Sequence, residues 1–214
     1  MVILYTLHGN GYIDLKDLDT YKGITCYVNS TNRCSCACTF CLRNTKEMLE
    51  SNSLWLKREP TVEMIIAEFE KYDLTAFKEV VFCGFGEPLT RHDDLMKVAK
   101  YIKEKRSDLS IRINTNGLSS ITLGRDIAPD FKGVIDTVSI SLNAPTKEEY
   151  YELTRACYGA DSFNYMLQFT KACKKYVPSV VLTVVDIIGV EKIKLCQKIA
   201  DGLGVELRVR PFEE

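Results

Sequence analysis

The chain has 214 residues, 46% of them hydrophobic and 27% charged, with a formal net charge of −1. That length suits one domain or two small ones and is enough to bury a core. The near-zero charge excludes a strong electrostatic pull toward nucleic acid or an anionic membrane. No apolar run approaches the ~20 residues that span a bilayer. The start, Met1-Val2-Ile3-Leu4-Tyr5, has neither a basic n-region nor a cleavable apolar segment, so a soluble cytoplasmic protein is expected.

Residues 1–23 read as a small N-terminal β-hairpin extension turning at His8-Gly9-Asn10-Gly11. From residue 24 to 214 extended and helical patterns alternate. Strands are expected at Ile24–Ser30, Glu79–Cys83, Ser110–Asn114, Thr137–Leu142, Ser179–Val185 and Val205–Val209, all short and rich in β-branched residues. Helical spacing joins Val62, Ile65, Ile66 and Phe69, then Leu95, Val98, Ala99 and Ile102. It recurs in Ile193, Cys196, Ile199 and Ala200, before Gly202-Leu203-Gly204 stops the helix. The basic stretch Lys97–Arg106 interleaves apolar residues as a solvated helix face does. Strand and helix in turn imply parallel βαβ units. Six strands with five crossovers predict an α/β fold, a partial (βα)6 TIM-like open barrel. Leu42–Pro60, the longest connection without a strand pattern, is expected to wrap the cysteines that precede it.

Nine cysteines, an odd number with four of them in eight positions, argue for a metal site in a reducing compartment rather than a disulfide framework. Cys34, Cys38 and Cys41 form Cys-x3-Cys-x2-Cys. Ordinary iron–sulfur carriers use four thiolates, so three on a four-iron cube leave one iron open to a substrate or cofactor. Zinc normally takes four ligands in paired knuckles, and no second pair follows. Cys36 is expected to point away, because so short a loop hardly aims four thiols inward. Cys26, Cys83, Cys173 and Cys196 lie in apolar patterns and read as small buried hydrophobes. His8 and His92 read as surface residues, His92 opening a helix.

Ligand sites of parallel α/β folds gather at the C-terminal ends of strands. The cysteines, Gly84-Phe85-Gly86-Glu87-Pro88, Asn114-Thr115-Asn116-Gly117, Ser141-Leu142-Asn143, Asp186 and Arg210 each follow or end a predicted strand, so a shared rim is expected. Several strands alternate a polar face, such as Arg112/Asn114/Asn116 or Glu206/Arg208/Arg210, with an apolar one. Arg112, Arg208 and Arg210 are expected to bind carboxylate or phosphate groups.

The cysteine triplet with Phe40 before its last member, joined to the Gly-Glu-Pro loop after the second strand, resembles the radical S-adenosylmethionine (SAM) superfamily from about residue 24 onward. The resemblance implies a [4Fe-4S] cluster on Cys34, Cys38 and Cys41, with SAM on the fourth iron. It implies reductive cleavage of SAM to a 5′-deoxyadenosyl radical that abstracts hydrogen from a substrate. Phe40 would pack by the adenine. Gly84, Phe85, Gly86 and Glu87 resemble the motif whose backbone carbonyls hold the SAM ammonium, with Phe85 in place of its first glycine. Ser141 and Asn143 take the position that meets the ribose or carboxylate, and Asp186 begins the segment bordering the adenine. Asn114, Asn116 and Arg210 complete the expected cofactor-binding set.

More specifically, Tyr27–Cys34 followed by Cys38-Thr39-Phe40-Cys41-Leu42-Arg43 resembles the TatD-linked radical SAM group, whose reaction the motif does not imply. Glycyl-radical-enzyme activating enzymes and 7-carboxy-7-deazaguanine synthase are relatives of similar build. The resemblance implies a reductant protein such as flavodoxin or ferredoxin. An open barrel without large accessory domains suits a macromolecular substrate or a partner closing the site. A non-catalytic iron–sulfur electron carrier or metal-binding module is the competing class.

Overall fold

In the computed structural model, which describes residues 1–9, 11–18, 21–45 and 53–212, the apolar alternates of the predicted strands are the residues removed from solvent. Val80 and Phe82, Ile111 and Ile113, Val138 and Ile140 are all fully buried. Each such side chain gains about 1.5–3 kcal/mol from leaving water, which fixes strand register by fixing which face turns inward.

The strands are β1 (Leu4–His8), β2 (Gly11–Asp14), β3 (Ile24–Val28), β4 (Phe77–Phe82), β5 (Ser110–Thr115), β6 (Thr137–Ser141), β7 (Ser179–Val185) and β8 (Glu206–Arg210). The helices are α1 (Leu42–Thr45), α2 (Val62–Phe69), α3 (His92–Lys105), α4 (Ser119–Leu123), α5 (Lys147–Thr154), α6 (Ser162–Cys173) and α7 (Val190–Leu203). They sort into two compact units. One holds Met1–Arg33, Met48–Asn114 and Gly133–Asp136; the other holds Cys34–Glu47, Thr115–Lys132 and Thr137–Glu214.

In the first unit β1 pairs antiparallel with both β2 and β3, and β3, β4 and β5 run parallel. The hairpin closes with His8 opposite Gly11, and Gly9 at φ +57° supplies the left-handed turn residue. Asn10 of the expected turn lies outside the described residues. Thr61 caps α2 by accepting from the Met64 N–H at 3.3 Å, and α2 buries Ile65 and Phe69, the latter edge-on to Phe77. Helix α3 buries Leu95, Val98, Ala99 and Ile102, as their spacing predicts, and keeps Lys97, Lys100 and Lys105 exposed. His92 does open α3, but its side chain is buried, not at the surface.

In the second unit β6, β7 and β8 are parallel. Between β6 and β7 the chain builds two helices, α5 and α6, joined by the Tyr150–Phe163 ring contact at 5.7 Å. Helix α7 stops at Gly204, φ +63°, as the glycines predict. Strand β8 departs from the expected one-sided pattern: Val209 is 44% exposed, and Glu206, Arg208 and Arg210 are exposed too. In neither unit does the sheet close, since β2 and β8 each pair on one side only. The result is an α/β fold with an open sheet, as expected from the alternation of elements. No helix among the described residues is long and apolar enough to cross a membrane.

Candidate functional site

The cysteine loop is built by backbone, before any side chain takes part. Helix α5 ends with carbonyls that have no partner inside the helix, and two of them hold the loop. Ala37 N–H donates to Thr154 O and Thr39 N–H to Leu153 O, each at 2.9 Å. Beyond the helix, Cys157 N–H donates to Ser35 O at 2.9 Å. Arg155 at φ +48° turns the chain out of α5 so that these carbonyls face the loop. Sequence reading missed Leu153 and Thr154, because their contribution is carbonyl oxygen, which any residue type supplies.

Cys36 is the correction in this loop. Instead of pointing away it is buried, with its thiol between those of Cys34 and Cys38. Its own N–H donates to Cys34 Sγ at 3.4 Å. The hydrogen bond from the Cys36 thiol holds the Cys34 thiol down to about 6, against burial, with the Cys36 N–H, Arg43 and Asn116 adding to the effect. The same Cys36 contact lowers Cys38. Cys36, wedged between two groups that ionise first, is pushed up. Burial raises Cys41. Cys34 is thus mostly thiolate at neutral pH, the form in which sulfur binds iron. Arg43 reaches back from α1 to donate to Cys36 O at 3.3 Å. Among the described residues no group of three His, Cys, Asp or Glu converges on a single metal ion. An iron–sulfur cube takes one thiolate per iron, so its ligands stand apart in any case.

On the same unit, Ser141 ends β6 and is part-buried, and Asn143 follows it. Asn143 sits at φ +59° with its backbone N–H on Thr183 O. It is 4% exposed, and its Oδ1 has no hydrogen-bond partner among the described residues. A strained backbone that presents a buried, unsatisfied amide oxygen is expected where a ligand supplies the missing donor. Asn116 points its amide at the cysteine loop, donating to Ser35 Oγ at 3.0 Å. Phe40 is part-buried in the turn before Cys41. Asp186 and Arg210 are exposed, and Asp186 accepts from the Phe212 N–H at 2.9 Å.

The glycine loop belongs to the first unit. Glu87 N–H donates to Arg33 O at 2.7 Å, and a Cβ on Gly86 would stand 2.7 Å from that same oxygen and closer still to Thr31 O. A Cβ on Gly84 would collide with Asn29 Oδ1. Both glycines are therefore required by close backbone approach. Phe85 is buried edge-on to the exposed Trp55, 5.2 Å between ring centres, and leaves both neighbouring glycines in place. The Glu87 carboxylate is turned inward and caps the 3-10 turn Pro88–Arg91 by accepting from the Leu89 N–H at 3.0 Å. Asn29, missed in the sequence, donates to Val2 O and Leu54 O and so ties the hairpin and the 53–60 segment to this loop. Of the Leu42–Pro60 connection expected to wrap the cysteines, residues 46–52 lie outside the described residues.

Arg112 does not present a free charge. It grips Glu79 through two bonds, 3.0 and 2.8 Å, and donates to Asn114 Oδ1 at 3.0 Å. The pairing arises because β4 and β5 set Glu79 and Arg112 on one face, two residues out of register. Arg208 and Arg210 are exposed on β8, so the expectation of three arginines sharing an anionic ligand is not supported. Cys26, Cys173 and Cys196 are buried as expected, whereas Cys83 is part-exposed.

The match to the Radical SAM superfamily model runs over residues 28–195. A protein of Methanocaldococcus jannaschii named for glycyl-radical enzyme activation is 29% identical over 78% of the chain and 62% of its own length. A protein of Thermococcus kodakarensis named as a GTP 3′,8-cyclase is 29% identical over 72% of the chain and 45% of its own length. The chain thus spans roughly half the length of these relatives. The crystal structure of methylornithine synthase superposes on 88% of the chain and 53% of its own at a TM-score of 0.65, with 17% identity, and shares the open-barrel fold. The chain belongs to the radical SAM superfamily, whose members are iron–sulfur enzymes that use a [4Fe-4S] cluster and S-adenosylmethionine.

Proposed function

We propose that this chain, through a core of residues 24–214, is a radical SAM enzyme whose cluster is held by Cys34, Cys38 and Cys41. The observation that carries the reading is a loop of thiols, one of them held down to about 6, presented on the carbonyl end of α5. When bound, the cluster supplies the electron that splits the SAM sulfonium bond into methionine and a 5′-deoxyadenosyl radical, which removes hydrogen from a substrate. The rest of the site binds and orients. Asn143 offers its unsatisfied Oδ1 to a donor on SAM, with Ser141 beside it in sequence. The Gly84-Phe85-Gly86-Glu87 backbone receives the SAM ammonium. Phe40 borders the adenine, and Asn114, Asp186 and Arg210 lie at the outer limit of the cofactor-binding set.

All nine cysteines are free thiols, in keeping with a reducing cytoplasm, where a flavodoxin or ferredoxin serves as electron donor. Similarity to the protein named for glycyl-radical enzyme activation favours a macromolecular substrate. The resemblance to the TatD-linked group rests on residues 27–43. Anaerobic reconstitution followed by SAM and dithionite tests the reading: 5′-deoxyadenosine is the expected product. Cys34→Ala, Cys38→Ala and Cys41→Ala each lose the cluster, while Cys36→Ala keeps a SAM-responsive spectrum. Cluster reduction without 5′-deoxyadenosine would instead mark an electron carrier.

A further inference from the structure

Asn116 was grouped with the SAM contacts by its place after β5, but its geometry serves sulfur. Its Oδ1 accepts from the Leu118 N–H at 3.0 Å, which fixes which end of the amide is the acceptor. The NH2 end is thereby aimed at the cysteine loop, with Ser35 Oγ at 3.0 Å, Cys36 Sγ at 3.6 Å and Cys34 Sγ at 3.7 Å. The turn that carries it is rigid. Gly117 N–H donates to Thr115 Oγ1 at 3.0 Å, and Gly117, at φ +77°, lies against Ile140 and Met166 with no room for a side chain.

We propose that Asn116 is a positioning residue that donates an amide N–H to the Cys34 thiolate of the cluster and thereby raises the cluster's reduction potential. The inference rests on reading Cys34 as a cluster ligand. Reduction adds negative charge to the cluster and its thiolates. A fixed donor on one sulfur stabilises the reduced form more than the oxidised one, which is how hydrogen bonds to sulfur tune such centres. A hydrogen bond to a charged partner is strong enough to move this equilibrium about tenfold.

The test is a redox titration of the reconstituted protein followed by electron paramagnetic resonance. Asn116→Asp keeps an oxygen for the Leu118 N–H and removes only the donor; Asn116→Ala removes both. At the wild-type midpoint potential, the ratio of reduced to oxidised cluster is expected to fall about tenfold in Asn116→Ala, equivalent to about 59 mV for one electron. The fall is expected to be larger in Asn116→Asp, which adds negative charge. A second measurement needs no variant: [15N]asparagine-labelled wild-type protein is expected to show a 15N coupling to the reduced cluster in pulsed spectra. A SAM-responsive cluster whose potential is unmoved in both variants, or a labelled cluster without the coupling, overturns the role of Asn116 alone. A wild-type chain that assembles no SAM-responsive cluster overturns the ligand reading with it.

Discussion

Asn143 combines two costs that the chain tolerates together. A left-handed backbone costs an L-residue roughly 1–2 kcal/mol, and a buried acceptor left unsatisfied costs about as much again. Asn143→Gly relieves both, so the melting temperature is expected to hold or rise. SAM affinity of the reconstituted protein, measured by equilibrium dialysis, is expected to fall about tenfold for the lost hydrogen bond. A variant that binds SAM like wild type would remove Asn143 from the cofactor site. At this scale the sequence was readable where spacing alone carries the chemistry, as in Cys34, Cys38 and Cys41. It was unreadable for Cys36, because an irregular loop has no period to tell which way a side chain turns. Arg112 was misjudged for another reason: its partner Glu79 lies on a neighbouring strand, and only the β4–β5 register brings the two together.

Strands and helices were legible wherever apolar period and length agreed. The strand Ser179–Val185 was placed to the residue, and Gly204 marked the end of α7. The element that holds the cysteine loop, α5, was not. Its sequence Lys147–Thr154 is mostly polar and buries only Tyr150 and Thr154, so it lacks a clear apolar stripe. The glycine loop gives the sharpest prediction at this level. A methyl on Gly86 meets two backbone oxygens, Thr31 O and Arg33 O, neither of which can swing aside as a side chain would. Gly86→Ala is expected to cost about 1–3 kcal/mol, with about 2–4 °C of melting temperature lost for each kcal/mol. A thermal melt checks it. A variant as stable as wild type would mean the loop is not held against the segment before Cys34.

For the chain as a whole, stability is expected to be unevenly spread. Strand β4 is paired on both sides and buries Val80, Val81 and Phe82 completely. Strand β8 is paired on one side only and shows solvent to both faces, while Val190 and Leu195 of α7 are largely uncovered. Amides of β8 and α7 are expected to exchange hydrogen well before those of β4. Mass-spectrometric exchange reads this directly, and equal protection of the two regions would contradict it. The fold class was visible from the alternation of elements, since parallel units leave little topological choice. The exposure of β8 was not, because Leu207 and Val209 carry the same alternating signature as a covered strand.

The segment leading into the cysteines carries a last consequence. Arg33 grips Glu59 through bonds of 2.8 and 2.9 Å, Thr31 bonds the same carboxylate, and Arg91 holds Ser30 O and Pro60 O. These residues are immobilised when the protein folds, with no help from iron. Conformational freedom already surrendered by the chain need not be surrendered again when metal and sulfide arrive, so the approach to the first cysteine is a mould set before casting.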